Sequence, residues 1–243
     1  MDAVVFDSVT KRYRDASVRY LFRPRISQGV ENLSFSVAGG ETFGLLGLNG
    51  AGKTTAFKLI MGLLRPDEGR VLVSGVSPSD SSVLRDIGYL PEISYFHKNL
   101  TVRETLQFLS ALSGVKVGET GIKETLSMVG LGDFASRKVG KLSKGMQQRL
   151  SMAQSLIHNP GILIYDEPTS GLDPLGIREM RGLLESLKKS GKTIILSSHI
   201  TSEVEKLCDR VGIIKSGRLI KIASAAEFSR PGELENIFVG AVS

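Results

Sequence analysis

Short unbroken apolar runs, each bordered by turn-forming residues, recur at 43–46, 71–73, 162–165 and 193–196. Runs of this length with such borders predict buried strands. Amphipathic stretches with helical spacing follow or separate them. Residues 53–64 predict a helix that stops before Pro66. Residues 176–190 predict one that begins just after Pro174 and ends at Gly191, the asymmetry expected of start and stop residues. Thr101-Val-Arg-Glu104 and Ser202-Glu-Val-Glu205 both fit the reciprocal capping pattern that opens a helix. Residues 211–222 (VGIIKSGRLIKI) read as a hairpin turning at Ser216-Gly217.

Strands alternating with helices predict a mainly parallel α/β sheet. The first 40 residues are β-rich and expected to be antiparallel. Residues 95–158 have a different texture, in which helical periodicity dominates and strand signal almost vanishes. They predict an α-helical subdomain inserted between 1–94 and 159–243 of one domain. The one linker-like segment is 15–30 (DASVRYLFRPRISQGV).

Composition narrows the classes. The 243 residues suffice for one sizeable core, and 41% hydrophobic with 23% charged residues is ordinary for a globular chain. No apolar run reaches the 18 residues of a membrane span, and the start, MDAVVFDSVTKRY, lacks a signal-peptide pattern. Cys208 is the single cysteine, so an intrachain disulfide is impossible and a reduced cytosolic setting is expected. A net charge of +6 is weak evidence for polyanion binding in a chain this long. His97 and His158 read as structural, and Met128, Met146, Met152 and Met180 as packing residues.

Chemistry enters at Gly47-Leu-Asn-Gly-Ala-Gly-Lys53-Thr54, which fits G-x-x-x-x-G-K-[ST] between a strand and a helix. Glycines let the backbone wrap a phosphate with its N–H groups inward, backed by the positive end of the next helix. Lys53 is expected on the β- and γ-phosphates and the Thr54 hydroxyl on Mg²⁺. Gly47, Asn49, Gly50, Ala51, Gly52, Lys53, Thr54 and Thr55 are therefore candidate nucleotide contacts. An accidental match occurs in about one chain per hundred at ordinary glycine content, and the strand–loop–helix setting lowers that further. Residues 162–165 end in Asp166 and Glu167. The first acid suits Mg²⁺, held through water or through Thr54, and the second suits a base that takes a proton from the attacking water.

These two motifs leave kinases, helicases and GTPases open. Residues 142–149 (LSKGMQQR) separate them. Ser143 is a suitable N-cap for a helix running from about Gln147 to His158, which stops at Asn159-Pro160. Its free N–H groups and dipole form an anion site that suits a γ-phosphate supplied from outside.

Here the chain resembles the nucleotide-binding subunit of an ATP-binding-cassette (ABC) transporter, over nearly its full length. Residues 142–149 resemble that family's signature, usually LSGGQ, and 168–173 (PTSGLD) its D-loop, with Asp173 as the acid. His199 in Ser-Ser-His resembles the switch histidine that contacts the γ-phosphate. Tyr13 in KRYRD resembles the residue that stacks on adenine, and Glu92 lies where the family usually carries a metal- or water-contacting glutamine. The resemblance implies a P-loop NTPase (RecA-like) core, ATP as substrate and Mg²⁺ as cofactor. Catalytic roles fall to Lys53, Glu167 and His199, and metal contacts to Thr54, Glu92 and Asp166. It also implies a head-to-tail dimer, a homodimer by expectation, in which Ser143 and Gly145 of one subunit complete the site of the other.

Lys144, Met146 and Glu92 depart from the family's commonest residues, so altered side-chain contacts are expected in an active site. With residues 101–114, 198–211 and 233–239 they resemble an exporter subfamily that serves separate permeases for drugs, polysaccharides or other envelope material. Such a subunit sits peripherally on the cytoplasmic face of the membrane and is not expected to bind nucleic acid. A soluble ABC ATPase acting on nucleic acid or ribosomes is the alternative. Those relatives usually fuse two cassettes, insert coiled coils or carry zinc cysteines, and this chain does none of these. A metabolic P-loop kinase does not explain the signature, D-loop and His199 together. Residues 16–30 exceed the family's usual length. Arg19, Arg23 and Arg25 alternate there with Tyr20 and Phe22, which compete with Tyr13 for adenine. The segment is either a solvated elaboration or a contact for anionic headgroups or the permease.

Overall fold

A 13-residue strand whose alternate side chains are buried opens the chain: β1 (Asp2–Arg14) seals Val4, Phe6 and Val9 in the core. The computed structural model describes residues 1–14 and 26–242. β1 pairs antiparallel with β2 (Ile26–Ala38) on one side and with β4 (Glu68–Val73) on the other. The expected antiparallel opening is thus present, but two expectations fail around it. Residues 26–30 are strand rather than linker, because β1 runs on to Arg14 and offers them a ladder partner. The run 71–73 joins this antiparallel sheet rather than the parallel one. Tyr20, Phe22 and the three arginines of the insertion lie outside the described residues.

The described residues form two compact units, Met1–Leu84 with Ser197–Ser243, and Arg85–Leu196. In the first, β3 (Thr42–Leu46) is fully buried and pairs parallel with β8 (Arg210–Lys215), which returns as an antiparallel hairpin into β9 (Arg218–Ser224). The hairpin turns where expected, since Ser216 and Gly217 both adopt positive φ, 49° and 81°. Phe6 stacks on Phe35 with centroids 4.6 Å apart, and Phe35 on Phe43 at 5.3 Å, joining the antiparallel sheet to β3. Helix α1 (Lys53–Ile60) ends earlier than expected, because Gly62 takes φ +65° where a Cβ would collide with the Pro78 carbonyl. Helix α6 (Thr201–Leu207) begins with Ile200 as N-cap and no side-chain cap. The capping box expected at Ser202 is therefore absent: Ser202 lies inside the helix, and Ser198 Oγ accepts from Ile200 N at 2.9 Å just before it. Helix α7 (Glu233–Val242) docks through Glu205, whose carboxylate accepts from Gly232 N and Leu234 N.

In the second unit β5 (Ile87–Leu90), β6 (Ile162–Tyr165) and β7 (Thr193–Ser198) pair in parallel. β5 carried no usable strand signal: it has four residues, one a glycine on which a Cβ would strike the Ser155 carbonyl. Helix α2 (Val102–Leu112) opens with the predicted box, Glu104 N donating to Thr101 Oγ1 at 3.2 Å and Thr101 N to Glu104 Oε2 at 2.8 Å. Helices α3 (Glu119–Met128), α4 (Lys144–Leu156) and α5 (Pro174–Lys189) complete the unit. α4 starts three residues before the predicted Gln147 and stops short of His158, whose Nε2 instead reaches the Ile87 carbonyl at 3.1 Å. Met152 and Met180 are core, whereas Met128 is 55% exposed and does not serve packing. Among the described residues, no helix is long and apolar enough to cross a membrane.

Candidate functional site

The cradle of the first unit follows directly from β3. After Leu46 the chain turns through Gly50 (φ +80°) and Gly52 (φ +113°), the latter serving as N-cap of α1. No L side chain fits Gly52, since a Cβ there would stand 2.5 Å from the Gly29 carbonyl. The loop is tied from behind: Gly217 N donates to Ala51 O and Glu31 N to Gly217 O, both at 2.8 Å. The first N–H groups of α1 thus open onto a shaped concavity backed by a helix dipole. Lys53 is buried and its Nζ donates to Gly47 O at 2.6 Å, which holds the ammonium across the mouth of the loop. Asn49 and Thr54 are exposed, and Thr55 is half-buried. Tyr13 hydrogen-bonds through its hydroxyl to Thr55 Oγ1 at 3.2 Å, and its ring lies against Gly29. His199, in the same unit, is exposed just beyond β7.

In the second unit, parallel pairing sets the acids. Leu90 stands opposite Tyr165, so the residues that follow both strands emerge at the same carboxyl edge. Asp166 N donates to Leu90 O at 2.8 Å, and Asp166 and Glu167 are only 3% and 6% exposed. Glu92 leaves the same edge exposed. Burial pushes the Tyr89 hydroxyl up to about 12, helped by the charges of Asp166 and Glu92, which places both carboxylates within electrostatic reach of one ring. Glu167 adopts φ +51°, a left-handed conformation rare for a side-chain-bearing residue, directly before Pro168.

Ser143 caps α4 as expected, its Oγ accepting from Met146 N at 3.3 Å. Ser143, Lys144 and Gly145, with Gly171, Leu172 and Asp173, are among the residues that line a groove of about 680 Å³. A Cβ on Gly145 would stand 3.8 Å from Leu172 Cδ2, and one on Gly171 would run into the Lys144 ammonium. The signature turn and the 168–173 turn are therefore packed against each other. Asp173 is the N-cap of α5 and accepts from Gly176 N at 2.8 Å. Sequence reasoning missed Gln148, which is 7% exposed and donates through Nε2 to the Pro168 carbonyl at 3.0 Å. Helical phase held the signal: residues 148, 151, 152 and 155 share the buried face of α4.

Among the described residues no three His, Cys, Asp or Glu side chains converge as a metal cage. Isolated carboxylate and hydroxyl oxygens suit a hard cation that keeps its waters and phosphate ligands.

The family profile described as ABC transporter matches residues 30–170. The chain is 44% identical over 197 residues to the bacitracin transport ATP-binding protein BcrA of Bacillus licheniformis, across 80% of this chain and 64% of that protein. It is 40% identical over 209 residues to the lantibiotic transport ATP-binding protein SrtF of Streptococcus pyogenes, across 86% and 89%. The chain thus spans less than two thirds of BcrA and most of SrtF. A dimeric structure of the ATP-binding cassette MJ0796 in a post-hydrolysis state, bound to ADP and Pi, matches with TM-score 0.81 at 26% identity. That match covers 91% of this chain and 98% of MJ0796.

Proposed function

The chain belongs to the ABC transporter family, and on that footing we propose that it is an ATP-hydrolysing subunit that drives export through separate membrane-embedded permease chains. The observation that supports this reading is the glycine turn at the start of α1, where Gly52 at φ +113° leaves no room for a Cβ and the buried Lys53 Nζ bonds back to Gly47 O. Gly47, Asn49, Gly50, Ala51 and Gly52 offer main-chain groups to the phosphates of ATP, while Lys53 carries the positive charge. Thr54 and Thr55 extend the contact, and Tyr13, bonded to Thr55, is the residue read as stacking on the adenine. Thr54, Asp166 and Glu92 supply the oxygens that would hold Mg²⁺. A bound Mg²⁺ would supply positive charge against that building on the β- and γ-phosphate oxygens.

Glu167 accepts a proton from water as that water attacks the γ-phosphorus and the bond to the β-phosphate oxygen breaks. His199 contacts the γ-phosphate, and Asp173 belongs to the turn that faces the second subunit. Ser143 and Gly145 serve the nucleotide held by another copy, so two identical subunits close around two ATP. Closure is stabilised only by the differential affinity of ATP for the closed state, and hydrolysis removes it. Held by its permease, the subunit works peripherally at the cytoplasmic face of the membrane. BcrA is named for bacitracin transport and SrtF for lantibiotic transport, which supports a transport role whose cargo the permease chooses.

Glu167→Gln tests the reading. The variant is expected to bind ATP, lose nearly all turnover and accumulate a nucleotide-dependent dimer by sedimentation. Hydrolysis at the wild-type rate contradicts the assignment.

A further inference from the structure

Glu167 is held in a conformation that its own chemistry disfavours. A β-carbon opposes positive φ, and the proline that follows pushes the preceding residue toward extended backbone. Such a residue persists only where its surroundings over-determine it. Three of the bonds that flank it are of note. Asp166 N donates to Leu90 O on the upstream side, and Ser170 N closes the turn on Glu167 O at 3.0 Å. The third is the buried bond from Gln148 Nε2 to the Pro168 carbonyl, and it comes from a side chain on another element.

That element is α4, the helix whose first turn presents Ser143 and Gly145. Gln148 lies one turn further along, and its neighbours on the same helix pack the same loop: Leu172 against Gly145 and Lys144 over Gly171. We infer that Gln148 is a positioning residue for Glu167, transmitting the placement of the signature turn to the carboxylate of its own subunit. The inference rests on the reading of Glu167 as the group that takes the proton. With Gln148 removed, the Pro168 carbonyl is left buried with its donor gone, and the turn relaxes to restore extended backbone at Glu167. The carboxylate then swings out of line while the cradle around Lys53 is untouched. Nucleotide engaged at the signature of one subunit thereby sets the hydrolytic competence of that subunit's own site.

The full chain is tested with Gln148→Met, which keeps length and loses the donor. The expected result is a fall in kcat of about 10- to 100-fold from misplacement of the base, with KM for ATP essentially unchanged. ATP should also accumulate a dimer, as in Glu167→Gln, because slowed hydrolysis leaves intact ATP holding the closed state. A merely structural role gives the opposite pattern, lowering thermal stability without trapping a dimer, and overturns the inference. Gln148→Glu decides the matter independently if the first variant folds poorly. Its carboxylate repels the Pro168 carbonyl at pH 8, and on acidification its neutral form donates, so kcat relative to wild type should recover. Absence of recovery overturns the inference. If Glu167→Gln hydrolyses normally the base reading itself falls. If that variant is inactive while both Gln148 variants keep wild-type kcat, only the positioning role falls.

Discussion

Ser143 is given two tasks that different substitutions separate. Within its own chain it caps α4, and the 3.3 Å bond to Met146 N is longer than a typical N–H···O bond. Replacing a capping serine with alanine costs about 0.5–2 kcal/mol, and with glycine only a few tenths. The long bond places Ser143→Ala near the lower end, about 0.5–1 kcal/mol. For a chain of this size that is a loss of about 1–4 °C in Tm for Ser143→Ala, and under about 1 °C for Ser143→Gly. Across the proposed interface the hydroxyl meets a charged phosphate, a bond worth about 1.5–3 kcal/mol. Both variants lose that hydroxyl equally. In a Glu167→Gln background, each should therefore weaken ATP-driven dimerisation by about 10- to 100-fold per site, measured by analytical ultracentrifugation across an ATP titration. Thermal melts of the monomers report the cap alone. The reasoning is refuted if Ser143→Gly dimerises like its parent and only Ser143→Ala is impaired, for then dimerisation follows capping.

Gly52→Ala forces a methyl to 2.5 Å from the Gly29 carbonyl at φ +113°, a strain of about 1–3 kcal/mol. A fluorescent ATP analogue should then bind about 5- to 150-fold more weakly, and unchanged affinity contradicts the cradle. Tyr89 provides a pH test. Its folded pKa, raised to about 12 by burial and by Asp166 and Glu92, favours the neutral hydroxyl. The associated stability is intact below the unfolded value of about 10 and is lost as pH rises through about 12. The Tm advantage of wild type over Tyr89→Phe should accordingly shrink between pH 9 and 12, and parallel curves contradict the electrostatic placement of the two acids.

Local chemistry was readable wherever one residue type decides the conformation. Glycines with positive φ marked the cradle and the 216–217 turn, and Thr101 with Glu104 announced α2 three residues apart. Ser202 carried the same pattern as Thr101 and failed, because the chain leaving β7 already turns at Ser198 and the helix starts two residues earlier. Choices made by tertiary partners were hidden. Residues 71–73 read as a buried strand in either sheet, and only pairing with β1 settles which. Leu90 and Tyr165 meet in register, yet neither sequence run foretells the other, so the shared edge that gathers Glu92 and Asp166 was visible only through family resemblance. Gln147 and Gln148 are chemically identical neighbours, and helical phase sends just one of them to Pro168. Nor does a sequence announce that Glu167 holds φ +51°, since nothing about Asp-Glu-Pro favours it.

The central claim is that no single copy carries a complete hydrolytic pocket: the cradle with Lys53 and Glu167 is finished by Ser143 and Gly145 of a second copy. Mixing two disabled forms tests it most directly. Lys53→Ala lacks the phosphate charge, and Ser143→Arg blocks the wall offered to the partner, so each alone should be inactive. Their heterodimer should contain one site built from the intact halves, and the mixture is predicted to regain partial ATPase activity that rises with heterodimer content. Heterodimers that form and hydrolyse nothing, or a strictly monomeric wild-type chain turning over ATP at full rate irrespective of concentration, would contradict the account.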